Sequence, residues 1–377
     1  MIATVRSEVS VNEPVLYVAF ELAKQHWKLA MTSGFGVAPI LRTVPAGDLG
    51  AVRRALQIGR ARFALPVSAR VMSCYEAGRD GFWIHRALAT LGGSNRVVDS
   101  SSIEVNRRAR RTKTDRLDAV KLVTMLVRAC QGEPGVWSEV RVPTAAAEAA
   151  RHVSRERSAL RAEQTRLRNQ IGSWLATSGC AVSRRTRRQA DWWTRVRDWA
   201  GAALPPAVQT RIARAESRLA LLTDQVATLD AVQTQQTRAS APGEARHRLV
   251  QLRGIGVTGA AILLDEGLAW REFRNRRQVG GLLGFAPAPY SSGAVARDQG
   301  IRRAGNQRLQ SVLVQLAWGW LQWQPDSALS RWYRERFDRG KRARKVGIVA
   351  LARKLCVALW RYATQGVVPT GAILKRA

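Results

Sequence analysis

The sequence predicts three parts: an α/β domain over residues 14–135, a long helical coiled-coil segment over 145–240, and a mainly α-helical C-terminal domain over 245–366. Three observations carry this reading. Short apolar runs suited to strands come first and helical patterns then interleave with them, as in an α/β domain. Two middle stretches are helical, and the second repeats apolar residues at alternating steps of three and four, the spacing of a helix seam. The last third is helical and punctuated by glycines. A chain of 377 residues is long enough for at least two such units.

In the first part, Val15–Phe20 reads as a buried strand, and Lys28–Thr32 and Gly36–Thr43 as the next two strands of a meander turning near Gly34. A helix over Gly47–Ile58, a strand over Ala69–Tyr75, a helix over Gly81–Leu91 and a short strand at Arg96–Val98 follow, and a long helix spans about Thr114–Ala129. In the middle, residues 145–175 form a helix with apolar positions Leu160, Leu167, Ile171 and Trp174. The second helix carries Ile212, Ala215, Leu219, Leu222, Val226 and Leu229, between Pro205-Pro206 and Pro242-Gly243. The pair is expected to run antiparallel; its seam suits intramolecular packing and a dimer contact equally. Between the helices lie the basic loop Ser183–Arg188 and then Trp192, Trp193 and Trp199, rings that either pack the tip of the pair or stack on unpaired bases. The last part begins near Ala245, contains a loop over Pro287–Gly300, and ends in helices over about Asn306–Trp323, Ser327–Phe337 and Lys345–Arg361.

Charge is the strongest compositional signal. Lys and Arg number 61 against 28 Asp and Glu, a formal net charge of +33 spread along the whole length. Such an excess favours a polyanionic partner, and arginine suits phosphate because its fork donates two parallel hydrogen bonds. Cys74, Cys130, Cys180 and Cys356 are far apart and form no C-x-x-C pair, which points to a reduced intracellular protein without structural zinc. There is no apolar leader, and the most apolar late stretch, Val346–Trp360, is interrupted by Arg353 and Lys354. A soluble, cytoplasmic protein is expected, with no membrane partner.

Acids are scarce, so acids at strand ends stand out. Glu21 follows the first strand and Glu76 the strand Ala69–Tyr75, while Asp115 and Asp118 sit three apart at a helix start and share a face. Four carboxylates so placed could converge on magnesium ions for phosphodiester chemistry. Asp115 could equally be a helix cap, and Glu21 and Glu76 solvated strand ends. Arg107, Arg108, Arg110, Arg111, Lys113 and Arg116 surround the acidic helix start, as a backbone-binding channel or an exposed basic loop. Leu252–Thr258, L-R-G-I-G-V-T, resembles a helix-hairpin-helix turn that offers backbone N–H groups to a phosphate, though a plain inter-helix turn reads the same way. Ser292, before Gly293 on the loop Pro287–Gly293, is a candidate nucleophile toward phosphorus. Arg274, Arg276, Arg277, Arg297, Arg302 and Arg303 could bind nucleic acid there and stabilise a pentavalent phosphorus.

Seven segments taken together resemble the DEDD-type transposases of the insertion-sequence-110 family, in particular its 1111 subgroup. They are VLYVAFELAKQHWKLA, CYEAGRDGFWIHRAL, KTDRLDAVKLV, LRGIGVTGAAILLDEG, FAPAPYSSG, DQGIRRAGNQRLQSVLVQLAW and QPDSALSRWYRERF, in family order and covering nearly the whole chain. The resemblance implies a RuvC-like, ribonuclease-H-type N-terminal domain whose four acids fall on Glu21, Glu76, Asp115 and Asp118 and bind Mg2+. It implies a C-terminal transposase domain whose catalytic serine falls on Ser292 rather than Ser291 and forms a 5′-phosphoserine link to DNA. It further implies donor and target DNA as substrates, a noncoding bridge RNA as guide, and self-association from dimer to tetramer with sites shared between subunits. The first acid departs from the family aspartate: Glu21 keeps the charge but moves it outward by one methylene.

Two other readings account for part of the pattern. A metal-dependent junction nuclease would use the four acids with water as nucleophile, and a trapped DNA–serine adduct would exclude it. A noncatalytic RNA- or DNA-binding protein needs only the charge and the basic helices, and predicts no strand cleavage with magnesium present.

Overall fold

The computed structural model describes residues 13–103, 115–183, 185–285, 287–292, 295–301, 305–337 and 340–375. The chain divides into two compact units, Met1–Pro143 and Thr144–Ala377.

The first unit is built on a five-stranded sheet of β1 (Val15–Leu22), β2 (His26–Thr32), β3 (Ile40–Pro45), β4 (Arg70–Glu76) and β5 (Ser94–Val98), in the order β3-β2-β1-β4-β5. The first three strands form the expected antiparallel meander, and β4 and β5 run parallel to β1. Helices cover both faces. On one, Leu16, Val18 and Phe20 of β1 pack with Val52 and Leu56 of α1 (Leu49–Arg62) and Ile84 and Leu88 of α2 (Trp83–Thr90). On the other, Val15, Tyr17 and Ala19 pack with Ala119, Leu122, Val123 and Leu126 of α3 (Asp115–Cys130). Burial on both faces explains why β1 opens as a continuous apolar run and why Val71–Tyr75 of β4 is broken only by the buried Ser73. Asp48 caps α1 by accepting from Ala51 N at 2.8 Å. At Gly59, α1 approaches so closely that a Cβ would lie 2.9 Å from the Met31 sulfur.

The second unit opens with two long helices, α4 (Ala145–Thr177), capped by Thr144, and α5 (Pro206–Ala239), which starts with proline at its first position. Leu167, Ile171 and Leu175 meet Ile212, Ala215, Leu219 and Leu222, so the seam is filled within the chain. Polar rungs continue it: Gln164 donates to Thr223 at 3.0 Å, and Arg157 pairs with Asp230 at 2.5 Å. These rungs lie one heptad apart on each helix and run in opposite directions, which fixes the pair as antiparallel.

The rest of this unit packs α6 (Ala245–Gln251), α7 (Val257–Leu263), a π-helical turn at Leu264–Leu268, α8 (Arg276–Leu283), α9 (Gln307–Trp323) and α10 (Ala328–Phe337) around α11 (Lys341–Gln365). Leu351, Leu355 and Leu359 of α11 are fully buried against Leu249, Leu263, Leu283, Leu313 and Trp320. One expectation is corrected here. The loop predicted over Pro287–Gly300 is a hairpin of β6 (Pro287–Ser292) and β7 (Val295–Ile301). Two prolines argue against a strand from sequence because they lack the N–H a ladder needs. The ladder accommodates them with a register shift between Pro287 and Pro289. Among the described residues no helix is long and apolar enough to cross a membrane.

Candidate active site

The acidic residues of the first unit gather at one end of the sheet. In the β1–β4 ladder Phe20 is opposite Tyr75, so the next positions, Glu21 and Glu76, stand side by side at the carboxyl ends of two parallel strands. Adjacent strands lie about 4.8 Å apart. Alternation along the strands puts both acids on the face that carries Ala19, Cys74 and α3. The Cys74 thiol donates to the Leu122 carbonyl at 3.9 Å, which sets the height of α3 on the sheet. Cys130, at the far end of α3, is within electrostatic reach of Tyr17 and Arg70 at the opposite end of β1 and β4. The helix therefore runs against the strands and begins where the two glutamates end. Asp118 precedes Leu122 by one turn, about 6 Å of rise. Glu76 lies two residues beyond Cys74, about 7 Å in the same direction. Glu21 and Asp118 are half-buried and Glu76 is exposed.

Backbone geometry thus brings Glu21, Glu76 and the first turn of α3 to one edge. Among the described residues no three His, Cys, Asp or Glu side chains form a group able to hold a metal ion. The Asp115 side chain lies outside the described residues. The donors at this edge are all hard oxygens, the type magnesium takes, and none is a thiolate or imidazole that would favour zinc.

Of the predicted basic residues, Arg107, Arg108, Arg110, Arg111, Lys113, Arg302 and Arg303 lie outside the described residues, and Arg116 is exposed on α3. Arg274, Arg276 and Arg277 are exposed at the start of α8, whose N-cap Asn275 accepts from Arg277 N and Gln278 N. Arg276 and Arg277 open onto a cleft of about 880 Å³ that Arg353, Lys354 and Arg361 also line; among the described residues no carboxylate lines it, and the rest of its wall is mostly apolar. Cations so placed could take up phosphates by displacing their counterions. Affinity for nonspecific duplex, read by fluorescence anisotropy, is expected to fall about a thousand-fold or more between roughly 50 and 200 mM salt. Removing both Arg276 and Arg277 should flatten the salt slope by about two. An affinity indifferent to salt would refute this interface.

Ser292 is the last residue of β6, and its side chain lies outside the described residues. The two ends of its hairpin are well defined. Gly284, left-handed at φ 63, ends α8, and Phe285 is buried directly after it. On the return side Gly305 has φ 103 and lies so close that a Cβ would be 2.6 Å from Gly284 N, so only glycine fits. Asn306 N then donates to the Leu282 carbonyl at 3.0 Å, and the Gln310 side chain to the Leu283 carbonyl at 2.5 Å. Burial pushes all four cysteine thiols up, Cys356 to about 12.

At the tip of the helix pair, Trp192 is buried and donates to Glu216 at 3.2 Å, so its ring serves packing. Trp193 is half-buried, whereas Trp199 is 83% exposed. The glycine-flanked segment is a turn between α6 and α7, with Gly254 at φ 91 and Ile255 buried beneath it. The two most deeply buried carboxylates among the described residues, Asp265 and Glu266 on the π-helical turn, are not among the predicted site residues. Their signal was there: two consecutive acids inside the apolar run Ala260–Leu268.

Residues 246–332, which include the serine hairpin, match the model of the transposase IS116/IS110/IS902 family. The Sinorhizobium fredii protein named "Putative transposase y4rJ" is 39% identical, over 97% of this chain and 96% of its own length. The chain belongs to the IS116/IS110/IS902 transposase family. Another S. fredii transposase, y4pF/y4sB, is 30% identical over 74% of this chain and 73% of its own length. The transposase of the insertion sequence element IS1328 of Yersinia enterocolitica is 27% identical over 44% of this chain and 48% of its own length. This chain is accordingly a DNA transposase, an enzyme that cleaves and rejoins DNA. The transposase keeps Glu21, Glu76 and the start of α3 together on one sheet edge.

Proposed function

We propose that this transposase joins DNA covalently to Ser292 in a reaction that also needs magnesium held by Glu21, Glu76, Asp115 and Asp118, and that a noncoding bridge RNA directs it to donor and target DNA. The observation that carries the reading is the meeting of the carboxyl ends of β1 and β4 with the first turn of α3. That sheet edge supports a RuvC-like, ribonuclease-H-type assignment of the first unit, and the heptad spacing of the polar rungs supports a coiled coil for α4 and α5. In the reaction, the Ser292 hydroxyl oxygen forms a bond to phosphorus, the bond to the 3′ oxygen breaks, and the serine proton passes to the departing 3′ hydroxyl. A 3′ hydroxyl of the partner strand later displaces the serine, so each phosphodiester lost is regained without ATP. When bound, magnesium supplies Lewis-acid stabilisation of charge on the phosphoryl and leaving oxygens. Arginines flanking the hairpin, Arg274, Arg276 and Arg277 among them, balance charge on the pentavalent phosphorus. Self-association from dimer to tetramer belongs to the same reading, with Ser292 of one subunit serving carboxylates of another.

The test combines purified protein, its RNA and end-labelled donor DNA. A DNA–protein adduct and a joined product are expected with magnesium and neither with a chelator; cleavage without any adduct would point instead to hydrolysis by water. For the guide, the exposed Trp199 and the basic residues Arg185, Arg187 and Arg188 suit RNA phosphates and an unpaired base. Protein purified from cells that carry the element's flanking DNA should retain one discrete noncoding RNA. Recombination that survives ribonuclease treatment, with only bulk RNA bound, would remove RNA guidance from this account.

A further inference from the structure

Glu266 lies on the π-helical turn with its side chain wholly buried, and both its oxygens are used twice. Arg155 of α4 grips it side-on, Nε to Oε1 at 2.8 Å and Nη2 to Oε2 at 2.9 Å. The Arg308 Nε stands 3.1 Å from Oε1. The Asn306 side-chain amide donates to Oε2 at 3.0 Å. Asn306 is also the N-cap of α9, its Oδ1 accepting from Arg308 N at 3.0 Å and Leu309 N at 3.2 Å. Arg308 reaches back to α4 as well, its Nη2 donating to the Ser154 carbonyl and the Ser158 hydroxyl, each at 2.9 Å. One carboxylate thus ties the root of the long helix α4 to the first turn of α9. Its N-cap, Asn306, directly follows Gly305, which closes the hairpin bearing Ser292 against Gly284.

Stability alone gives a poor account of this arrangement. Burying the Glu266 carboxylate is costly even though Arg155 and Arg308 stay partly exposed, and an apolar side chain of similar volume often holds a core as well. What such a network supplies is geometry: a planar fork and a directed amide admit one relative placement of the elements they join. Burial by itself would push the Glu266 carboxyl up, but hydrogen bonds from Arg155 and Asn306, with the charges of Arg155 and Arg308, outweigh it and hold the carboxyl below the usual range. The charged form of Glu266 is thereby favoured.

We propose that Glu266 is a positioning residue for strand cleavage: through Asn306 and Arg308 it fixes the base of the Ser292 hairpin to the root of α4. The inference rests on the serine reading given above. Its sharpest probe is Asn306, because the cap and the tie use different atoms. Asn306→Ser and Asn306→Asp both keep a capping oxygen, but both lose the amide donor, and the aspartate sets a second carboxylate against Glu266. Single-turnover adduct formation should slow about ten- to a hundred-fold in both, the cost of a misplacement near 1 Å, while DNA affinity stays close to wild type; Asn306→Ser should melt within a few degrees of wild type, and Asn306→Asp, with two facing carboxylates, lower. Wild-type rates in both Asn306 variants, or a slowing that merely tracks the unfolded fraction, would overturn the positioning role. An adduct that survives Ser292→Ala would instead sink the serine assignment itself.

Discussion

Ser292→Ala is expected to bind donor DNA with wild-type affinity, cut neither strand and form no covalent adduct. The loss should exceed about a thousand-fold, because without the nucleophilic oxygen no phosphoserine can form and only background hydrolysis remains. Affinity is expected to survive because binding draws on many phosphate contacts spread over a strongly basic chain, and none of these is removed. Ser291→Ala separates the adjacent residue. Successive positions of a strand alternate between its two faces, so two serines in a row on β6 are not interchangeable. A several-fold effect at most is expected there. Denaturing gel mobility of protein mixed with end-labelled donor DNA, followed by peptide mapping, reads both variants. An adduct that persists in Ser292→Ala, or that maps to Ser291, would overturn the assignment.

Much of this architecture is legible in the sequence where one local signal dominates. Val15–Phe20 is apolar on both faces, and Ala69–Tyr75 nearly so apart from Arg70 and Ser73, because helices cover both sides of the sheet; runs of that kind are visible without a structure. Glu21 and Glu76 stand out because each directly follows such a run, although β1 itself continues to Leu22. That the two ends are neighbours is not legible: it follows from the parallel pairing of β1 with β4, strands separated by almost fifty residues. The serine hairpin was hidden by its own prolines, which read as a loop, whereas backbone pairing with β7 defines it. Trp192 and Trp199 belong to one basic, tryptophan-bearing segment, yet one is buried and the other is 83% exposed, a difference that only tertiary packing decides. Glu266 escaped for the same reason. Its partners Arg155 and Arg308 are distant in sequence, and an acid in an apolar helix shows no partner until the chain is folded.

Asp118→Ala is expected to abolish recombination while the fold of the first unit survives. Asp118 is half-buried on the first turn of α3, and the contacts that hold that helix to the sheet come from Ala119, Leu122, Val123 and Leu126, which the substitution leaves in place. Alanine is also the best helix former, so α3 should lose no stability to propensity. The function lost is local. On the proposed reading Glu21, Glu76 and Asp118 are oxygen donors at one sheet edge, and removing one would leave the others short of a coordination set and the scissile phosphate without its alignment. A fall of about a thousand-fold or more in joined product is expected, with thermal unfolding within a few degrees of wild type. Glu21→Asp completes the argument. Aspartate withdraws the carboxylate by one methylene, and magnesium demands a narrow range of metal–oxygen distance. If Glu21 is a ligand, the exchange should shift the magnesium concentration needed for half-maximal activity while leaving DNA affinity unchanged. A solvated strand end would shift neither. Full activity in Asp118→Ala would refute the carboxylate site, and an unchanged magnesium requirement in Glu21→Asp would remove Glu21 from it.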